Sequence, residues 1–247
     1  APGFADAAEY AASETCVFIP NEVSPKILSY VFSGKYNSWS RFAPKLSDWT
    51  VLDAGKSDGM ISFYGRMTTD GDLSDFITLF ERSGAASSKL SSVLPSNTLS
   101  AASVPFRNVA EYISEYQMFL DARQSLQTRR STIDVLEKKV GVSPVAFFTR
   151  IETKEAATAS FLVDGKLERV NLIRAAKPDT LKNYTAGQHP YKYSSFASSV
   201  FGNLFELPDE SSFTYVDGWI ISGSPKAVDM FATGKAAKYT LKEYMVN

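Results

Sequence analysis

Cysteine and histidine are almost missing from this chain, which has one of each among its 247 residues. Cys16 alone cannot form an intramolecular disulfide, and its apolar, strand-like surroundings at 15–19 predict a buried, inert thiol. Zinc sites built from Cys and His need three or four such ligands, and any His-dependent catalytic site would rest on His189 alone. Phosphate-loop, dinucleotide, metalloprotease, nucleophile-elbow and EF-hand motifs are missing as well. We therefore predict no catalytic residue, no metal site and no cofactor.

Neither sign of charge dominates, and long apolar runs are also missing. Lys and Arg number 26, Asp and Glu number 27, and the net charge is -1. The sequence thus offers no basic footprint for nucleic acid. No stretch approaches the roughly 18 apolar residues of a membrane-spanning helix, so we predict no spanning segment in this chain. With 44% hydrophobic residues, the composition is typical of a folded globular protein.

The chain does contain a recurring pattern around three Asp-Gly pairs, each of which separates two strand-like segments. Asp-Gly favours the tight turn of a β-hairpin. The pairs are Asp58-Gly59, Asp164-Gly165 and Asp217-Gly218. The predicted strand pairs are 49–54 with 60–67, 158–163 with 167–175, and 213–216 with 219–223. A helix-start signal follows each hairpin, at Asp72 or Ser74, at Pro178, and at Ser224-Pro225.

Helical patterns also lie between the hairpins. Residues 25–32 carry an apolar stripe at helical spacing. The strongest helix prediction covers 108–127, with Asn108 as its N-cap, and 133–140 continues or follows this helix. A further strand is predicted at 99–104.

These patterns predict an α+β fold. Strands joined by tight hairpins pair antiparallel, and the intervening helices then cover one face of a mostly antiparallel sheet. The fold would be built from recurring strand–hairpin–strand–helix units. We predict a first part, 1–92, with an N-terminal helix and one unit, and a second part, 93–247, with the long helix and two further units. One continuous domain is the alternative.

Aromatic residues form the candidate binding site, because they make up 13% of the chain and gather in the C-terminal half. Exposed tyrosine and tryptophan rings stack on sugars or anchor protein partners. The alternative is that these rings, with Phe196, fill a core beneath a long loop. The candidate residues are Tyr184, His189, Tyr191, Tyr193 and Trp219.

Carboxylates are the only plentiful catalytic material. A glycosidase needs two of them about 5 to 10 Å apart across a cleft, and the sequence cannot place any two together. Turn-forming and solvated roles explain most of them. The carboxylates near hairpins and loops are Asp53, Asp58, Glu206, Asp209 and Glu210.

Four segments of the chain resemble a family of uncharacterised cell-envelope proteins of Gram-negative gut and oral bacteria. This family carries a domain of unknown function. Residues 49–53 with Gly65 are similar to the first hairpin of that family. Residues 93–98, Val-Leu-Pro-Ser-Asn-Thr, resemble its junction before a strand, and 213–231 resemble its late hairpin and helix. Lys154-Glu155 resembles a pair that precedes a family strand. The resemblance implies an extracytoplasmic location, periplasmic or at the cell surface, and no particular activity.

The sequence therefore predicts a non-catalytic cell-envelope domain that binds or scaffolds another envelope protein or a glycan. A glycan or small-molecule binding module is the first alternative, and a carboxylate-based hydrolase is the second. The first residues, Ala-Pro-Gly-Phe-Ala, are typical of a trimmed start. We expect the chain to be part of a longer protein, anchored through a segment outside it.

Overall fold

A computed structural model describes most of the chain. The described residues are 3–12, 15–26, 43–57, 60–84, 86–177, 194–202, 205, 212–235 and 239–246. The helices among them are α1 (Phe4–Glu9), α2 (Thr78–Ser83), α3 (Val109–Ala122), α4 (Leu126–Val140), α5 (Pro144–Arg150), α6 (Ser194–Phe201), α7 (Pro225–Ala232) and α8 (Leu241–Val246). The strands are β1 (Cys16–Pro20), β2 (Trp49–Ser57), β3 (Met60–Thr68), β4 (Thr98–Pro105), β5 (Thr153–Val163), β6 (Lys166–Ala175), β7 (Ser212–Val216) and β8 (Trp219–Gly223).

The chain divides into two compact units, each with its own antiparallel sheet. Unit 1 comprises Ala1–Arg82 and Met118–Arg123, and unit 2 comprises Ser83–Gln117 and Gln124–Asn247. The α+β class and the antiparallel pairing are confirmed. None of the helices in the described part of the chain has the length and hydropathy that crossing a bilayer requires.

The sheet of unit 1 has the order β1-β2-β3. β2 pairs with β3 from Trp49 opposite Thr68 to Ser57 opposite Met60. The first predicted hairpin is thus confirmed, although both strands run farther than the sequence predicted. Its two turn residues, Asp58 and Gly59, lie outside the described residues.

One face of this sheet carries the core of unit 1. Trp49 and Val51 of β2 pack with Ala7 of α1, and Phe18 of β1 packs against them. The ring of Phe4 meets the ring of Phe18 edge-on, with centroids 5.3 Å apart. Residues of one parity are therefore committed to the core, and residues of the other parity point to the opposite face.

The sheet of unit 2 has the order β4-β5-β6-β8-β7. Its two hairpins turn at the predicted Asp-Gly pairs. Asp164 and Gly165 have φ of 48° and 74°, and Asp217 and Gly218 have φ of 48° and 86°. Two consecutive left-handed residues define the turn that matches the twist of paired strands, so the chemistry of these pairs sets both hairpins.

Side chains are buried on both faces of this sheet. On one face, Val170 and Leu172 of β6 pack with Phe231 of α7. Asn171 lies between them on the other face and is only 1% exposed. The sequence predicted helices on one face, but the middle of β5 and β6 is apolar or small at both parities, and strands of that kind are buried on both sides.

An aromatic cluster covers the second face. Asn171 Nδ2 donates a 2.6 Å hydrogen bond to the carbonyl of Phe205, whose ring centroid lies 5.9 Å from that of Phe201. Phe201 in turn lies 4.8 Å from Phe148. The rings in this cluster are Phe106, Tyr112, Phe147, Phe148, Phe196, Phe201 and Phe205.

The strongest predicted helix is in fact two helices. Asn108 caps α3 as predicted, because its Oδ1 accepts a 3.0 Å hydrogen bond from the N–H of Ala110. The helix ends at Ala122, and Gln124 takes a φ of 54° before α4 begins. A left-handed residue ends a right-handed helix, and nothing in the local sequence, such as glycine or proline, marks this one.

The recurring strand–hairpin–strand–helix unit is complete only in its third copy among the described residues. There Ser224 Oγ accepts a hydrogen bond from the N–H of Ala227 and caps α7. In the first copy α2 begins at Thr78, later than Asp72 or Ser74. The helix predicted at Pro178 lies outside the described residues, as does most of 25–32. The repeat thus stays a prediction.

Candidate functional site

Four of the five predicted binding residues, Tyr184, His189, Tyr191 and Tyr193, lie outside the described residues. The fifth, Trp219, begins β8 and is 2% exposed. It packs in the core of unit 2, where the guanidinium of Arg174 lies 6.0 Å from its ring centroid. Packing accounts for Trp219 and for the fully buried Phe196, as the core alternative predicts. A loop site at 184–193 stays a prediction.

Of the carboxylates chosen from the sequence, Asp53 alone lies among the described residues. Asp53 of β2 accepts hydrogen bonds at Oδ1 from Cys16 Sγ and from the N–H of Ala12, both at 3.0 Å. The thiol is half-buried and not fully buried as predicted. Asp58, Glu206, Asp209 and Glu210 lie outside the described residues.

Unit 1 contains a cleft of about 720 Å³, within the range of small-molecule sites. Tyr10, Trp49 and Met67 of β3 are among its lining residues. Its acidic lining residues are Asp6, Glu22, Asp48, Asp70 and Glu81. The cleft is thus polar and negatively charged.

Three aspartates that surround the loop after β3 form an acidic turn, which we define as Asp48, Asp70 and Asp75. One carboxylate oxygen from each lies within 4.8 Å of the others. Asp70 Oδ1 accepts from the N–H of Asp72 at 3.0 Å, and Asp75 Oδ2 accepts from Thr69 Oγ1 at 2.7 Å. An aspartate that accepts from nearby backbone, as Asp70 does, builds a turn, and the bond between Thr69 and Asp75 ties the far side of that turn. The cluster therefore has a structural role.

Burial and mutual repulsion shift two of these carboxyl groups. Burial raises the pKa of Asp48, and the charge of Asp70 raises it further. The hydrogen bond from the N–H of Asp70 lowers this pKa, but by less. Burial raises the pKa of Asp75 too, and the charges of Asp48 and Asp72 add to it, while the hydrogen bond from Thr69 lowers it. Both groups hold their protons to higher pH than an isolated aspartate.

The acidic turn presents oxygen donors of the kind that hard cations such as Ca²⁺ prefer. Its hydrogen bonds explain its shape without a cation. The hydrolase alternative stays a prediction. The sequence shows the run Asp70-Gly71-Asp72, but there we considered Asp72 only as a possible helix cap. The acidic turn was not predicted.

The face of the unit 1 sheet opposite its core is apolar and largely uncovered. Phe63, Met67 and Val17 are 56%, 45% and 43% exposed. Ile19 and Leu52 lie beside them and are half-buried. The register places these side chains on one face, since Val17 pairs with Leu52, Leu52 with Gly65, and Ile19 with Thr50. We call Val17, Ile19, Leu52, Phe63 and Met67 the apolar sheet face.

Unit 2 contains a buried carboxylate, Glu155, which the sequence marks only through the family resemblance of Lys154-Glu155. Glu155 is fully buried at the start of β5. Its Oε1 accepts from Ser88 Oγ at 2.5 Å and its Oε2 from the N–H of Lys89 at 2.8 Å. Arg174 Nε lies 3.4 Å from Oε2. This cluster ties the loop before the 3₁₀ helix Leu90–Ser92 to the sheet.

No protein-family model, no curated protein and no solved structure matches this chain. The class that can be stated is therefore that of the fold: an α+β protein of two units with antiparallel sheets. The cell-envelope resemblance remains a prediction.

Proposed function

We propose that this chain is a non-catalytic, extracytoplasmic domain that binds or scaffolds other proteins through the apolar sheet face of unit 1. The observation that carries the proposal is the exposure of Phe63, Met67 and Val17 on one face, around the half-buried Leu52. Exposed apolar side chains scattered singly are ordinary, whereas a contiguous group marks an interaction surface. The chemistry that fits this surface is an apolar face of a protein.

Photocrosslinking tests the surface directly. A photoreactive phenylalanine analogue replaces Phe63 or Val17 in the full chain, and Val135 serves as the control. Val135 is 65% exposed on α4, so it is at least as accessible as the test positions. We expect protein adducts at 63 and 17 and few at 135. Equal adduct yields at all three positions would contradict the proposal.

The extracytoplasmic location rests on the family resemblance and needs its own test. A membrane-impermeant biotin reagent labels exposed lysines of the chain in intact cells if the location is correct. Labelling that appears only after lysis would place the chain inside the cell and remove this part of the proposal.

A small-molecule or glycan binding module is the second candidate, favoured by the cleft of unit 1. Tyr10 is 48% exposed at this cleft, where its ring can stack on a sugar. Thermal-shift screening against a sugar library is expected to give stabilisation that Tyr10→Ala removes. A Tyr10→Ala variant that keeps the full shift would exclude the cleft as the site.

A further inference from the structure

Among the described residues, β3 is an edge strand of the unit 1 sheet. No strand in the described part of the chain pairs with β3 on the side away from β2. All five residues from Phe63 to Met67 are exposed, and Tyr64 is the most exposed of them at 72%. Natural edge strands are usually protected by proline, several charges, a bulge or a covering segment. In 63–67 the only such feature is Arg66.

The direction of the backbone groups of β3 follows from the register. The N–H of Ala54 donates to the carbonyl of Thr15, so Ala54 faces β1 and its neighbour Asp53 faces β3. Asp53 pairs with Tyr64, and opposite residues in an antiparallel ladder bond together or not at all. Tyr64 and Arg66 therefore bond toward β2. Phe63, Gly65 and Met67 direct their N–H and C=O groups to the open edge.

We propose that the open edge of β3 pairs antiparallel with β3 of a second copy of this chain, about a two-fold axis at Gly65. This inference goes beyond the proposed function, because it concerns the edge of the sheet and not the apolar sheet face. The axis sets Phe63 opposite Met67 of the other copy, and Tyr64 opposite Arg66. With this axis, the outward-facing N–H and C=O groups of Phe63, Gly65 and Met67 meet those of the second copy. Residues that pair across the axis also point their side chains to the same face.

The charge pattern of β3 favours a second copy paired about Gly65 over one paired about Arg66. Arg66 is the only charged residue in 63–67. An axis at Arg66 would place the two guanidinium groups against each other, and like charges directly opposite destabilise a ladder. The axis at Gly65 instead places each guanidinium beside a tyrosine ring, a favourable cation–π arrangement.

The residue on the axis has no side chain of its own. The Leu52 side chain fills the space beside Gly65, where a Cβ would lie 2.7 Å from it.

The size of the edge sets the expected strength. With the axis at Gly65, the seven residues 62–68 of β3 overlap with the same residues of the second copy. At about 3.4 Å each they span about 24 Å, and a sheet is about 10 Å thick. Edge contact then covers about 240 Å² per copy, against about 800 Å² per partner in specific, stable complexes. We expect a weak dimer, with a dissociation constant on the order of 100 µM.

Sedimentation equilibrium of the full chain, from about 10 µM to about 1 mM, tests the dimer. We expect the apparent mass to rise from 27.1 kDa toward twice that value. Tyr64→Arg places two pairs of like charges across the axis and should weaken the dimer about tenfold. Tyr64→Glu places opposite charges there and should keep or strengthen it. Tyr244→Arg, at a residue 66% exposed on α8, is the matched control and should change nothing.

Cysteine crosslinking tests the register. Under oxidation, an equal mixture of Tyr64→Cys and Arg66→Cys chains should form a disulfide between copies, and neither variant alone should. A monomer at every concentration overturns the inference, as does equal weakening by Tyr64→Arg and Tyr64→Glu. A 64–64 disulfide overturns the axis at Gly65. Adducts at residue 63 to another protein, with a monomeric chain, would overturn the second copy while supporting the proposed function.

Discussion

Replacing Glu155 with alanine should strongly destabilise unit 2. The substitution leaves the N–H of Lys89 without its carboxylate, and also the guanidinium of Arg174, whose side chain is 27% exposed. It opens a void at a fully buried position as well. Breaking a buried, hydrogen-bonded ion pair by removing one partner costs about 3–5 kcal/mol. For a unit of this size each kcal/mol lowers the melting temperature by about 2–4 °C, so we expect a drop of roughly 10 °C.

Calorimetry measures the melting temperature, and amide exchange in β5 assigns the change to unit 2. Glu155→Gln keeps the shape and an accepting oxygen and should lose less than half as much. Glu152→Gln is the matched control, because Glu152 pairs with Lys177 on the exposed surface, where ion pairs contribute little. A Glu155→Ala chain that melts within about 2 °C of the parent would refute the role given to this network.

Two further substitutions test the turn and the cap. Burial and the neighbouring charges of Asp48 and Asp72 raise the pKa of Asp75 in the folded state, so the folded state binds more protons above the usual pKa and stability falls as pH rises through that range. Asp75→Asn should therefore stabilise unit 1 at pH 7, with a gain that shrinks toward pH 3 in pH-dependent melting; a gain independent of pH would contradict this cause. Ser224→Ala should lower unfolding stability by about 1 kcal/mol in urea titration, because the cap of α7 is lost, and an unchanged midpoint would show that the cap contributes nothing.

The sequence predicted best what local chemistry decides. Asp164-Gly165 and Asp217-Gly218 fix their hairpins through the φ angles that these residues tolerate. The end of α3 at Ala122 escaped prediction because Gln124 has no intrinsic preference for its left-handed angle. Glu155 escaped for another reason. Its partner Ser88 is 67 positions away in the chain, and a contact at that distance exists only after the sheet has formed.

The candidate surfaces likewise depend on contacts between segments that are distant in the sequence. The sequence predicted a strand at 60–67, but whether Phe63 or Tyr64 faced the core depended on the pairing with β2 and on α1. Both turned out to be exposed, because the core of unit 1 is filled from β1 and β2. The acidic turn likewise required Asp48 to meet Asp70 across the end of the sheet.

The polar residues inside the unit 2 sheet bear on how faithfully its strands align. Asn171 pairs with Thr158 on one side and with Ser222 on the other, and its amide is held by the carbonyl of Phe205. A slip of one residue between β5 and β6 would turn this row toward the Val170 and Leu172 core. Apolar strands alone tolerate such misalignment more readily. The row thus makes one alignment of the sheet distinguishable from its neighbours while the chain folds.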